Sequence, residues 1–302
     1  IENNTSTKAG AGIFAAKGVN INSDDTAAGT KDVIIQGNTA KTVGGGIFFR
    51  GTASVVKNAK ITKNTSGERG GGAYVEVDTS IYDTEISENK NQSSDGGGVY
   101  AAGNLTLKDV VVRCNTSVGN GGGVQSGASL HMDGALIENN QAGAAGAGVF
   151  TEKGANINSS DTAAGKKDVI IRNNTAATWG GGIFFRGAAS VAKNIEISGN
   201  TCGSNPGGGL YTEVPLTLHY ANVSNNTNTG SNGGGMGMGN TEMDLKDCTV
   251  QNNKAGGNGG GLYQGGKVNM SGTVIITGNT ATRDGGASNL AVATDKLVYM
   301  TA

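Results

Sequence analysis

Proline, charge and cysteine are all scarce in this chain: its 302 residues include 2 Pro, 3 Cys and 16% charged residues. Scarce proline beside 54 Gly, with no Gly-X-Y period, excludes a collagen-like triple helix. The net charge is −1 and no Lys/Arg run exceeds two residues, so nucleic acid finds no electrostatic footprint. No apolar stretch approaches the roughly 18–20 residues that span a bilayer. Cys114, Cys202 and Cys248 are odd in number and far apart, which fits neither a metal site nor a disulfide framework. They are expected as buried small hydrophobes.

What is present is a repeat. One asparagine recurs at Asn4, Asn38, Asn64, Asn89, Asn115, Asn140, Asn174, Asn200, Asn226, Asn253 and Asn279, mostly 25 to 26 residues apart. A fixed period of this size means a solenoid. Each asparagine is followed by a small-residue cluster such as Gly44-Gly45-Gly46 or Gly259-Gly260-Gly261. Three residues before it stands a β-branched residue every time, Ile1, Ile35, Ile61, Ile86 and Val112 among them. Five before it the column is small or apolar, as at Val33, Ala59 and Val110. Residues two apart share one face of a strand, so both columns point inward. A second inward column follows the glycines (Ile13, Ile47, Ala73, Val99), and a weaker third strand carries Leu105/Leu107 and Leu130/Met132.

These patterns predict an all-β fold: a right-handed parallel β-helix of about eleven three-stranded coils of 25–26 residues. At about 4.8 Å per coil the rod is roughly 50 Å long. The asparagines are expected to take the left-handed turn conformation and to bond amide to amide from coil to coil. The Asp or Asn six residues earlier (Asp32, Asn58, Asp83, Asp109, Asp168, Asn194, Asp247) reads as another turn column.

A longer period lies above the short one. Gly44 to Gly51 recurs unchanged as Gly180 to Gly187, and two eight-residue insertions give matching loops, Asn22 to Asp32 and Asn158 to Asp168. The chain therefore reads as one β-helix domain over 1–302, built of two tandem five-coil modules (about 10–145 and 146–285) with a terminating segment over 286–302. The open coil edges at both ends need capping. The chain opens mid-repeat at Ile1, so it is expected to belong to a larger protein with neighbouring domains.

The Gly-Gly-Gly-Ile/Val/Leu and Ile/Val-x-x-Asn pairs resemble the repeats of chlamydial polymorphic outer-membrane proteins, and are similar to repeats in large surface proteins of gut bacteria. The resemblance implies a bacterial extracellular or cell-surface location and an adhesin-like or stalk role, with a host surface protein or glycan as partner.

The residue after each post-glycine aliphatic forms an aromatic column: Phe14, Phe48, Tyr74, Tyr100, Phe150, Phe184, Tyr211 and Tyr263, interrupted at Gln125 and Gly237. Alternation points it outward. Self-stacking that stiffens the ladder explains such a stripe, and so does a ligand-binding strip, for exposed aromatic rows are unusual. Arg50 and Arg186 flank it as polar partners. The insertion loops are further candidates, since long loops on a rigid scaffold carry recognition. Asp24, Asp25 and Asp32 are the only candidate calcium ligands; they lack calcium-loop spacing, and no motif calls for another cofactor. The alternative function is a polysaccharide lyase or hydrolase, for which Asp83 and Asp109, one rung apart, would supply carboxylates. Both belong to a repeated column, however, and His131 and His219 stand alone. An ice-binding Thr array after the asparagines is expected to sit at a turn and is broken by Lys90, Gln141 and Lys254.

Overall fold

The computed structural model describes residues 1–21, 33–158, 160–283, 286–292 and 298–300. These residues contain strands and no helix, and the strands stack in register into three sheets. One sheet holds the strands that follow the glycine clusters, from Ile13–Ala15 and Ile47–Phe49 to Leu262–Gln264 and Leu290–Val292. Ile47, Ala73, Val99 and Val124 lie directly over one another, parallel throughout.

The weaker third strand and the Ile-x-x-Asn strand share a second sheet and differ only by a bend. Thr79–Tyr82 and Glu85–Ser87 are two segments separated at Asp83, whereas Leu105–Arg113 runs through the bend as one strand. The residue at the bend has positive φ in most coils: Asn58, Asp83, Asp109, Asn194, Tyr220 and Asp247 lie between 45° and 55°. The predicted column six before each asparagine is thus a crease along the rod.

The coil has three sides, as expected, but the third is not the one the sequence pattern assigned. It is formed by two-residue strands directly after the asparagines, such as Thr39–Ala40, Thr65–Ser66 and Thr116–Ser117. The Thr column therefore lies in a sheet and not at a turn. A second correction concerns the asparagines. The left-handed residue is the one before each of them: Asn3, Gly37, Lys63, Glu88, Cys114, Asn139, Asn173, Gly199, Asn225, Asn252 and Gly278 have φ between 55° and 66°. The turn is so tight that its corner needs one such residue, and this frees the next side chain to point inward and bond along the stack.

There the asparagines form the expected ladder. Asn64 Oδ1 accepts from Asn38 N–H and Nδ2, at 3.0 and 2.9 Å. Asn64 Nδ2 donates to Asn89 Oδ1 and to Ile35 O. Every polar atom of the buried amide is satisfied, which low-dielectric burial demands. The glycines matter for the same stack: a Cβ on Gly46 would stand 2.6 Å from Gly72 O and 2.9 Å from Asn64 Nδ2. Between the sheets the inward columns make one continuous apolar core, with Ile35, Ile47, Ile61, Ile86, Leu107 and Val112 fully buried.

The ladder ends on a residue outside the repeat. Asn289 Oδ1 accepts from Asn279 Nδ2 at 3.0 Å, although only ten residues separate them. The chain reaches this place by folding back, with Thr280–Ala281 pairing antiparallel to Gly286–Ala287 before Leu290–Val292 rejoins the first sheet. This reversal covers the last edge of the short-strand sheet. Cys202 and Cys248 are buried as expected, but Cys114 is exposed because it occupies the left-handed corner before Asn115.

Candidate functional site

The aromatic column is assembled by strand register. Phe14, Phe48, Tyr74 and Tyr100 are direct neighbours, with ring centroids 5.2 to 5.3 Å apart. Phe150, Phe184 and Tyr211 form a second group, at 5.0 and 5.2 Å. Gln125 separates the groups and donates from Nε2 to Glu152 Oε1 at 3.1 Å. Gly237 follows Tyr211, and Tyr263 lies in register beyond it.

The rings lie outside the main core, but the expectation of an exposed row is corrected. Phe48, Phe150 and Phe184 are only 4%, 2% and 4% exposed, and Tyr100 is 8% exposed. The cause is local. The loop that leads into each positive-φ glycine folds over the ring that follows it, so that a Cβ on Gly96 would lie 2.7 Å from Tyr100 Cβ. Tyr74, Tyr211 and Tyr263 are half-buried, and Phe14, at the end of the column, is exposed. Self-stacking therefore accounts for the inner rings, while Tyr74 and Tyr211 keep an accessible edge.

Arg50 and Arg186 follow Phe48 and Phe184 by two residues, on the rung before Tyr74 and Tyr211, and are themselves exposed. Arg50 Nε lies 3.4 Å from Glu76 Oε2, and Arg186 Nε lies 3.4 Å from Glu213 Oε2. The Arg50 guanidinium stands 5.8 Å from the Phe48 ring. Burial pushes the hydroxyls of Tyr74, Tyr100 and Tyr211 above their ordinary pKa, so they remain hydrogen-bond donors. Three flanking residues escaped the sequence analysis. Arg69 lies 4.9 Å above Tyr100. Trp179 packs 6.2 Å from Phe184 and 6.5 Å from Tyr211. Pro206 fills the place beside Gly237 where a side chain would stand. All three precede a positive-φ glycine, which is the signal that could have found them.

The first insertion loop, with Asp24, Asp25 and Asp32, lies outside the described residues. The second loop folds onto later coils. Asn194 Nδ2 donates to Asp161 Oδ2 and Ala163 O, Gly165 N–H donates to Asn194 Oδ1, and the Tyr220 hydroxyl donates to Thr162 O at 3.0 Å. Among the described residues no group of three or more His, Cys, Asp and Glu is placed to hold a metal.

The crease forms two open hollows that share Asp109. One, of about 300 Å³, is lined by Val55, Lys57, Tyr82, Asp83, Lys108 and Asp109. The other, of about 360 Å³, lies against the second loop and includes Asp109, Asp133, Asp168 and Lys166. Burial, together with Asp83, Asp133 and Asp168, raises the Asp109 pKa despite the opposing charge of Lys108.

Residues 45–215 match the family of right-handed beta-helix regions, and the chain belongs to that family. Residues 247–265, which hold Asn253 and the Gly259-Gly260-Gly261 cluster, also match the Chlamydia polymorphic membrane protein repeat. No curated protein and no solved structure matches the chain.

Proposed function

We propose that this chain is a bacterial cell-surface module, an adhesin-like rod that presents ligand-binding units to a host protein or glycan and spaces them along a rigid stack. The extracellular location rests on the match to a repeat of a surface-exposed membrane-protein family. The binding role rests on one observation above all: a half-buried tyrosine stands two residues before a glutamate that pairs at 3.4 Å with an exposed arginine of the preceding rung, and this arrangement occurs twice, as Tyr74, Arg50 and Glu76 and as Tyr211, Arg186 and Glu213. A purely structural column needs stacked rings but no repeated exposed charge pair, because surface ion pairs add little stability, about 0–1 kcal/mol. The test is a glycan and host-matrix binding array on the purified chain, with polysaccharide breakdown followed in the same wells. Binding without breakdown supports the adhesin. Absence of binding to every glycan and matrix protein removes the adhesive role and leaves a spacer.

The second reading is a polysaccharide-degrading enzyme. The hollow that brings Asp83 and Asp109 together, with the Asp109 pKa raised above its ordinary value, favours it. Breakdown in the array, lost in Asp83→Asn and Asp109→Asn variants, would establish this reading instead.

A further inference from the structure

We infer that the two Tyr–Arg–Glu units act together as one rigid bivalent site for a linear polysaccharide bearing carboxylates, an inference that rests on the adhesive reading above. The strands carrying Phe48 and Phe184 are five rungs apart, linked in register through Tyr74, Tyr100, Gln125 and Phe150. At about 4.8 Å per rung the units are about 24 Å apart. Because every step is a parallel one-to-one pairing, both units face the same side of the rod.

The spacing is fixed by the fold. The module junction contains no hinge: Asn140 Nδ2 donates to Asn174 Oδ1 at 3.0 Å, and Val149 pairs with Ile183 as in every other coil. The second insertion interrupts only the crease sheet, on another side of the coil. A ligand that reaches both units therefore meets the second at a high effective concentration, with little order left to impose.

The chemistry of each unit fits a sugar acid. A half-buried tyrosine offers a ring edge to a pyranose and a hydroxyl to its oxygens, the Tyr74 hydroxyl doing so as a donor while it accepts from Arg69. A guanidinium takes a carboxylate in two-point geometry. Glu76 and Glu213 lie 3.4 Å from Arg50 and Arg186 in exposed pairs, weak enough for a ligand carboxylate to share the guanidinium. Between the units, Arg69 lies over Tyr100 and forms no ion pair among the described residues, so the path carries a further cation. A polymer of repeating uronates presents carboxylates at regular intervals along such a path. A globular protein partner would need a matching duplication of its own.

The test uses the whole chain and size-fractionated hyaluronan, from disaccharide to hexadecasaccharide, with dextran fractions of the same sizes as a neutral control. The expected result is weak binding of short hyaluronan fragments, then a rise of about 10²-fold or more once a fragment spans about 24 Å. Tyr74→Ala or Tyr211→Ala alone should abolish the step while short fragments still bind. Arg50→Ala and Arg186→Ala, on exposed side chains, give the same readout without removing a ring from the stack. A smooth length dependence, or a step that survives loss of one unit, overturns bivalency and leaves the adhesive reading standing. Failure of every hyaluronan fraction to bind overturns the inference as well. The array described above decides separately whether the adhesive reading falls with it.

Discussion

Asn64 donates from Nδ2 to Oδ1 of Asn89, 3.0 Å away, and the same Asn89 oxygen takes the backbone N–H of Asn64. One side chain thus satisfies two donors of the previous coil while its own amide donates to Asn115 and back to Ile61 O. Asn89→Ala should orphan the Asn64 N–H inside the stack. A buried unsatisfied group costs about 1–3 kcal/mol, and several bonds are lost at once. We expect a loss of about 2–4 kcal/mol, read as a fall in the urea midpoint. Thr65→Ala, on the outer surface beside the same ladder, should shift the midpoint by no more than about 0.5 kcal/mol equivalent. Equal effects from the two substitutions would show that the ladder is not a principal source of stability.

The β-helix itself was legible because its inward positions repeat: Ile35, Ile61, Ile86 and Val112 are β-branched in sequence and fully buried in the fold. The corner was misplaced by one residue. Asparagine is common both in left-handed corners and in amide ladders, and the sequence does not separate the two roles. The column before it, rich in Asn and Gly but also holding Lys63, Glu88 and Cys114, held the answer. Alternation correctly put the aromatic column outside the core, but could not reveal that each glycine loop folds over its ring. Burial of Phe48 and Phe184 is a property of the turn, and turns carry no inward–outward period.

Thiol chemistry checks the corner directly. Burial pushes the Cys202 thiol up to about 12 and raises that of Cys248, so neither yields thiolate at neutral pH. Cys114 is exposed. A thiol reagent near neutral pH should therefore modify one cysteine in the folded chain and three after denaturation, because the thiolate is the nucleophile. Rapid modification of all three in the folded chain would contradict the placement of Cys202 and Cys248.

Tyr220 occupies a bend where other coils carry Asp or Asn, at φ of 55°, a conformation that costs a bulky residue roughly 1–2 kcal/mol. Its hydroxyl offsets part of this by holding Thr162 of the second loop, two coils away. Tyr220→Phe keeps the ring and removes that bond. We expect faster limited proteolysis within residues 160–167 and a small loss of stability, of the order of 1 kcal/mol, read as a lower Tm. Unchanged cleavage would show that Asn194 and the Lys193 ammonium, which donates to Asp161 O, fasten the loop without it.

Asp109 gives the crease a pH dependence whose sign follows from its raised pKa. Asp109 is exposed, but partial desolvation at the crease and the neighbouring carboxylates of Asp83, Asp133 and Asp168 favour its protonated form in the folded chain. A raised folded pKa contributes stability at low pH, and that contribution is lost as pH rises through the folded value. At neutral pH the ionised side chain therefore opposes folding. Asp109→Asn keeps the shape and tolerates the positive φ of this corner. The variant should have a higher Tm than the parent at about pH 7, and the gap should close toward about pH 3, where Asp109 is protonated in both states. A gap independent of pH would mean that the substitution acts through packing. A lower Tm for the variant at neutral pH would mean that Lys108, rather than the surrounding carboxylates, governs the field at the crease.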